Sequence, residues 1–216
     1  MRDVSAVIFY GLLMAGVIVV GLYFFCWASL LLHEAGHFLA ARAADTKVES
    51  VQLGNGPRWM AFDSGGVRWE VHAWPTSGSV NIEEGVFAYS VRQLAMVVLG
   101  GPLATLLLAT LLTLIFYPEF QAAYPRVWGT PASSPMLADF VRDLSVSETE
   151  AILRMAVACI PGTLVLSAWA TLLGCLVPTR MQSGIPTDGL QLWWLWFPEW
   201  RRKALLERFL KKPHGR

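Results

Sequence analysis

From Ala6 to Leu32 no charged side chain interrupts the sequence, and apolar residues fall on every face of a helix drawn through it. Hydrophobicity with no polar stripe marks a helix enclosed by lipid or protein, not one lying against water. About 20 apolar residues cross a bilayer core, so this run is long enough to span. It is too long for the apolar region of a cleaved signal, and a retained transmembrane helix is expected. Helix-compatible sequence continues without proline through HEAGHFLAARAA, giving one long helix over residues 1–44 with a charged motif near its end. Gly11, Gly16 and Gly21 recur every five residues, so they permit close helix contact without forming a GxxxG pattern.

The period changes over residues 45–93. VESVQL, RWMAF and VRWEVHAW are short, β-branched and aromatic, and Ser64-Gly65-Gly66 between the last two is a hairpin signal. Pro75-Thr76-Ser77-Gly78 is expected to break the chain again, leaving a small antiparallel sheet or β-loop. A second span is expected over 94–117, with Gly100-Gly101-Pro102 in its first half, then a loop over 118–146. Ser147-x-x-Glu150 is a capping-box pattern opening a third span over 147–177, in which Pro161-Gly162 predicts a kink or break. Residues 178–190 lead through Pro178, Gly184 and Pro186 to Thr187-Asp188-Gly189. In the tail, 191–216, LQLWWLWF is aromatic and interfacial. EWRRKALLERFLKK sets Leu205, Leu206, Phe209 and Leu210 against bases, as a basic amphipathic helix on a membrane surface would; a solvated helical tail is the plainer alternative.

Composition narrows this to a class. The chain is 55% hydrophobic and 15% charged, with a mean hydropathy of +0.47, against roughly 25% charged residues in soluble domains. Ten tryptophans suit a protein with much interfacial surface. A net charge of +1 with no basic, aromatic-laced patch gives no footing for nucleic acid. The 216 residues are expected to form a single domain: a polytopic α-helical membrane protein with about three transmembrane helices and a small β-region between the first and second. Arg42, Lys47, Arg58, Arg68 and Arg92 flank the β-region, and Arg201, Arg202, Lys203, Arg208, Lys211 and Lys212 crowd the tail. The 118–150 loop sets Arg126 and Arg142 against Glu119, Asp139, Asp143, Glu148 and Glu150. The positive-inside rule then puts the β-region and C-terminus in the cytoplasm and the N-terminus outside, in a multi-pass protein of the plasma membrane. Cys26, Cys159 and Cys175 lie in apolar segments without CxxC spacing, so they read as small buried hydrophobes, with no disulfide framework and no cysteine zinc site.

His33-Glu34-Ala35-Gly36-His37 is an H-E-x-x-H motif. Residues i and i+4 share a helical face, so both imidazoles can reach one metal, and neutral imidazole suits zinc. Glu34, one residue on, is turned aside but near enough to take a proton from a zinc-activated water, which is the general-base position. Ionisable groups inside a membrane helix are costly and point to function over structure. A catalytic zinc takes three protein ligands and keeps one position open. Glu49, Glu70, Glu83 and Glu84 lie in the β-region, on no clear following helix. Asp188, beside Gly189 at the end of the third span and on the motif's side of the membrane, is the better third ligand. His72, alone in a strand, and His214, in the tail, are set aside.

These residues together resemble the site-2 protease family of intramembrane zinc metalloproteases, over most of the chain. HEAGH resembles the family's metal-binding helix, and VESVQLGNGPRWMAFDSGGVRWEVHAWPTSGSV its membrane-associated β-hairpin and following glycine-containing loop. GGPLAT is similar to the segment opening its second core helix, and LVPTRMQSGIPTDG to the segment that supplies the third ligand. The resemblance implies zinc bound by His33, His37 and Asp188, with Glu34 as the catalytic acid/base. The chain departs from the family where Thr105 and Cys175 stand at positions often held by Asn and associated with substrate handling.

The implied reaction is hydrolysis of a peptide bond in or near a transmembrane helix of a membrane-protein substrate. Such a helix satisfies its own backbone in lipid, so it must be unwound, and an exposed β edge offers replacement partners. Ser77, Gly78 and Ser79 are the expected edge, Gly78 admitting a second backbone closely; an ordinary turn is the alternative. The rival function is a zinc-binding scaffold or chaperone derived from such a protease, against which the intact Glu34 argues. A membrane-anchored protease with a soluble catalytic domain would carry its motif outside the apolar run, and a metal transporter would want polar residues lining several spans. No pattern names the substrate, a link to transcription, a gating partner or an oligomeric state.

Overall fold

A computed structural model describes residues 4–83, 89–128, 148–179 and 186–197. Its elements in order are helix α1 (Val4–Ala43), strands β1 (Val48–Ser64) and β2 (Val67–Ile82), and helices α2 (Val91–Trp128), α3 (Glu148–Leu176) and α4 (Asp188–Trp196). Contacts divide the chain into one unit of residues 1–27 and 108–169 and a second of 28–107 and 170–216.

α1 is a single 40-residue helix, about 60 Å long at 1.5 Å per residue, which exceeds a hydrocarbon core of ~30 Å. It stops at a Schellman motif: Thr46 N–H donates to the Ala41 carbonyl (3.0 Å) and Asp45 N–H to that of Arg42 (3.3 Å). Asp45 takes the left-handed conformation this requires, with φ of 53°. The next helix starts at a capping box that lies ahead of the expected span. Ser90 and Gln93 bond reciprocally, Ser90 N–H to Gln93 Oε1 at 3.0 Å and Gln93 N–H to Ser90 Oγ at 3.3 Å. Gln93 Nε2 also donates to the Ala44 carbonyl (2.8 Å), tying the start of α2 to the end of α1. This is why α2 begins at Val91, ahead of the expected 94. It also runs on to Trp128, through Pro118, where a loop was expected from 118; membrane helices tolerate such prolines because neighbouring groups satisfy the freed backbone. α3 likewise contains Pro161 without ending there. Ser147 of the expected capping box and the basic helix of the tail lie outside the described residues.

The β-region is a hairpin of two long strands, where three short ones and a break at 75–78 were expected. Gly65 and Gly66, with φ of 60° and 77°, make the expected two-residue turn. β1 bends at Gly54 and Gly56, whose φ values of 80° and 81° favour glycine. Its far half pairs with the start of β2, from Ser64 with Val67 to Met60 with Val71. Its near half pairs with the end of β2, from Val48 with Ile82 to Leu53 with Gly78. Ser50 to Leu53 also partner Arg68 to Val71, with the numbers rising together, so the near half of β1 lies between the two halves of β2. Pro75 falls in the gap between the Trp74 and Gly78 pairs, where its missing N–H costs no ladder bond. Hence β2 continues through the proline.

In the second unit, Ala41, Ala44, Val48, Val51, Leu53, Val67, Ala73, Leu94 and Val97 are buried, and Phe38 of α1 meets Trp69 of β2 with ring centroids 5.4 Å apart. In the first unit, Ala109, Val165 and Ala168 are buried, and Trp169 Nε1 donates to Thr113 Oγ1 (3.0 Å), joining α2 to α3. The helices are otherwise inside-out by the standard of a soluble protein. Leu12, Leu107 and Leu166 are 69%, 69% and 71% exposed, while His33, Glu34, His37 and Asp188 are buried. Extended apolar surface of this kind needs a non-aqueous neighbour. Two helical stretches, Gly11–Ala43 and Val91–Pro118, are long and apolar enough to cross a membrane, and Ile160–Leu176 is a shorter apolar helix. Cys26 is exposed and Cys175 half-buried, which corrects the expectation of burial for these two; the side chain of Cys159 lies outside the described residues.

Candidate metal centre

His33 and His37 lie one turn apart on α1, and their Nε2 atoms are 3.1 Å apart. Asp188 at the first turn of α4 brings Oδ2 to 3.1 Å from His33 Nε2 and Oδ1 to 3.4 Å from His37 Nε2. The carboxylate is held there by its neighbours. Thr187 caps α4, its Oγ1 accepting from Leu190 N–H (3.4 Å) and donating to the Val177 carbonyl just past α3 (2.6 Å). A Cβ on Gly189 would overlap the Leu176 carbonyl. Thr-Asp-Gly is therefore a cap, a ligand candidate and a close backbone approach in three consecutive residues.

Each imidazole is anchored through its other nitrogen. His37 Nδ1 is 2.7 Å from the Val97 carbonyl, which can only accept, so Nδ1 carries the proton and Nε2 a lone pair. The Gly101 N–H, 3.3 Å from the same Nδ1, is then a neighbour and not a donor to it, since a protonated nitrogen has no lone pair in the ring plane. His33 Nδ1 lies 2.8 Å from Thr105 Oγ1. A lone pair on His37 Nε2 thus faces His33 Nε2 and a carboxylate, a crowd of acceptors that a cation reconciles. The α2 backbone comes close on this side, for a Cβ on Gly101 would overlap both Nε2 atoms. Two imidazoles and one carboxylate are a donor set of the kind that holds zinc.

Glu34 is 4% exposed, and its Oε2 is buried without a hydrogen-bond partner among the described residues. A Cβ on Gly78 would overlap the Glu34 carboxylate, so β2 passes directly against it. Ser77 and Ser79 flank Gly78 half-buried, within the strand and not in a turn. Cys175 Sγ is 4.0 Å from both ring nitrogens of His33. His33, Cys175 and Asp188 form a cluster within 4.8 Å, which the spacing of the cysteines did not foretell. A sulfur equidistant from Nδ1 and Nε2 is off the Nε2 lone-pair axis, so in this arrangement Cys175 flanks the ligand set. His72 is elsewhere: its Nδ1 donates to the Gly56 carbonyl (2.8 Å), beside Glu70, whose carboxyl a hydrogen bond from Arg68 (2.8 Å) holds below the usual carboxylate range. Gly36, Gly100, Gly101 and Thr187 went unread as site residues in the sequence, and Thr105 stood out only as a departure at a substrate-handling position; of these only Thr187, before an acidic helix start, carried a cap signal.

A helical, lipid-compatible scaffold here carries a buried cluster of two histidines and one carboxylate, the make-up of a membrane-protein metal site. The profile of peptidase family M50 matches residues 21–211. The chain therefore belongs to that family, the site-2 proteases, which are membrane-embedded zinc metalloproteases. Among similar proteins, three bear the name "Putative zinc metalloprotease". The first, from Clostridium acetobutylicum, is 31% identical over 116 residues, 49% of this chain and 34% of that protein. The second, from Chlamydia trachomatis, is 33% identical over 109 residues, 41% and 18% of the two chains. The third, from Pasteurella multocida, is 28% identical over 163 residues, 69% and 34%. The chain thus spans about a third or less of the length of these relatives. Zinc is the cofactor that the family and the donor set share.

Proposed function

We propose that the chain is an intramembrane zinc endopeptidase that cleaves peptide bonds in or near the transmembrane helices of membrane-protein substrates. His33, His37 and Asp188 are the metal ligands and Glu34 is the general base. The observation that carries this reading is the convergence of the two Nε2 atoms and both Asp188 oxygens within 3.1–3.4 Å, next to a buried carboxylate whose Oε2 is unpartnered. Zinc supplies Lewis acidity toward a carbonyl and acidifies water. Glu34 takes the proton of the attacking water and returns it to the leaving amine, a shuttle worth typically 10²–10⁴-fold.

The substrate meets this site as an extended strand. Residues 78–82 of β2 pair with β1 on one side, and among the described residues the other side has no strand partner. That edge, at Ser77, Gly78 and Ser79, offers main-chain bonds to an unwound peptide, and the overlap between a Gly78 Cβ and Glu34 supports its place beside the base. α1, α2 and α3 are the three spans, with the hairpin and C-terminus cytoplasmic and the N-terminus outside, in the plasma membrane. The exposed apolar side chains of all three helices support the spans, and the lysine and arginine distribution supports the orientation.

The test coexpresses a tagged panel of single-span membrane proteins with wild type and with Glu34→Gln, and measures zinc on both purified proteins. Loss of cleavage with zinc retained is expected. Identical cleavage patterns with zinc bound would leave a zinc-binding scaffold instead, and a folded wild type without zinc would overturn the metal centre itself.

A further inference from the structure

We propose that Thr105 is a positioning residue that sets the tautomer of His33, so that Nε2 and not Nδ1 is presented to the metal. Thr105 is completely buried. Its hydroxyl lies 3.1 Å from the Gly101 carbonyl and 2.8 Å from His33 Nδ1. A carbonyl only accepts, and a threonine has a single O–H to give. With that proton given to Gly101, the oxygen turns its lone pairs to His33, and Nδ1 brings a proton of its own. Nε2 is left with the lone pair that a metal needs.

The two histidines are thus fixed by two devices on one stripe of α2. Val97, Gly101 and Thr105 follow each other at intervals of four, one turn apart, as His33 and His37 do on α1. Val97 orients His37 directly through its carbonyl. Thr105 orients His33 through a hydroxyl relay ending on Gly101, whose backbone lies directly against both rings. Cys175 does not compete, since its sulfur is no nearer one nitrogen than the other, 4.0 Å from each. An asparagine at 105 would carry both donor and acceptor on its amide and could hold either tautomer. A threonine whose one proton is already committed can hold only one.

The role rests on the metal reading, and the experiment separates the two. The full chain is purified in detergent with ¹⁵N-labelled histidine, of which it has only four. The tautomer of His33 is read in the zinc-free protein from its ring nitrogen shifts, and zinc affinity is read by competition with a chromophoric chelator. Wild type is expected to show His33 protonated on Nδ1. Thr105→Val, which keeps the shape and loses the hydroxyl, is expected to mix the tautomers of His33 and weaken zinc binding about 10–100-fold. Thr105→Ser is expected to recover most of that loss and to restore the single tautomer. A wild-type His33 protonated on Nε2 overturns the proposal, and this result needs no variant to fold. Thr105→Val binding zinc as tightly as a zinc-binding wild type overturns the role and leaves the metal centre standing. A folded wild type that binds no zinc overturns the metal centre and the role together.

Discussion

Replacing Gly101 with alanine adds one methyl group, and the structure places it where both Nε2 atoms already are. A zinc–nitrogen bond is about 2.0–2.1 Å, so no ion can share that space unless the rings turn away. They are not free to turn. His33 is held at 2.8 Å by Thr105 and His37 at 2.7 Å by Val97. Breaking such a pair of bonds in a buried site leaves two donors unmet, at about 1–3 kcal/mol each. The expected penalty on zinc binding is thus about 2–6 kcal/mol, or roughly 30-fold to more than 10,000-fold in affinity. The helix itself should gain, since alanine is favoured over glycine in a helix interior by roughly 0.5–1 kcal/mol. The damage is therefore local, and far-ultraviolet circular dichroism should be unchanged. Gly174→Ala is the control: it makes the same exchange on α3, where nothing lies within 4 Å of the added carbon. Zinc affinities of the three proteins, measured in detergent by chelator competition, decide the matter. Wild-type affinity in Gly101→Ala, or an equal loss in Gly174→Ala, would refute the placement of the ion between these rings.

Two further outcomes follow from the same geometry. Gly78→Val should slow cleavage at least tenfold with zinc content unchanged, because its side chain would enter the space of the Glu34 carboxylate and not that of the ligands; equal turnover would remove the substrate edge from beside the base. Cys175→Ser should hold zinc about as tightly as wild type while Asp188→Ala loses it by at least 100-fold, about 2.7 kcal/mol; the reverse order, in the same chelator competition, would make the sulfur the third ligand.

The parts of the site legible in the sequence are those whose chemistry resides in a side chain. His33, Glu34 and His37 stand out because ionisable groups are costly at the end of an apolar run, and Asp188 because an acid beside glycine closes the last span. The structure brings all four together. The hairpin turn was legible too, since Gly65-Gly66 has one common use between two strand-like runs. The length of the strands was not. Pro75 reads as a breaker by residue type, and only the pairing shows that its missing N–H falls between ladder bonds. The start of α2 was missed for a different reason. Ser90 and Gln93 form a capping box by spacing, but the apolar run that drew attention begins only at Leu94.

What stayed hidden is mostly glycine, and the reason is physical. Lipid gives two apolar helices little drive to associate, so their contact depends on small residues that let backbones meet. Here a Cβ on Gly36 would overlap the Gly100 carbonyl, and a Cβ on Gly100 would overlap that of Gly36. This contact lies one residue from His37 on α1 and one from Gly101 on α2, so the surface that joins the helices also brings Val97 and Thr105 within reach of the imidazoles. Gly11, Gly16, Gly21 and Gly174, by contrast, face open space. These helical glycines therefore fall into two groups that composition cannot separate. One is free to face lipid, and the other supplies the absence of side chains on which helix association and ligand geometry both depend.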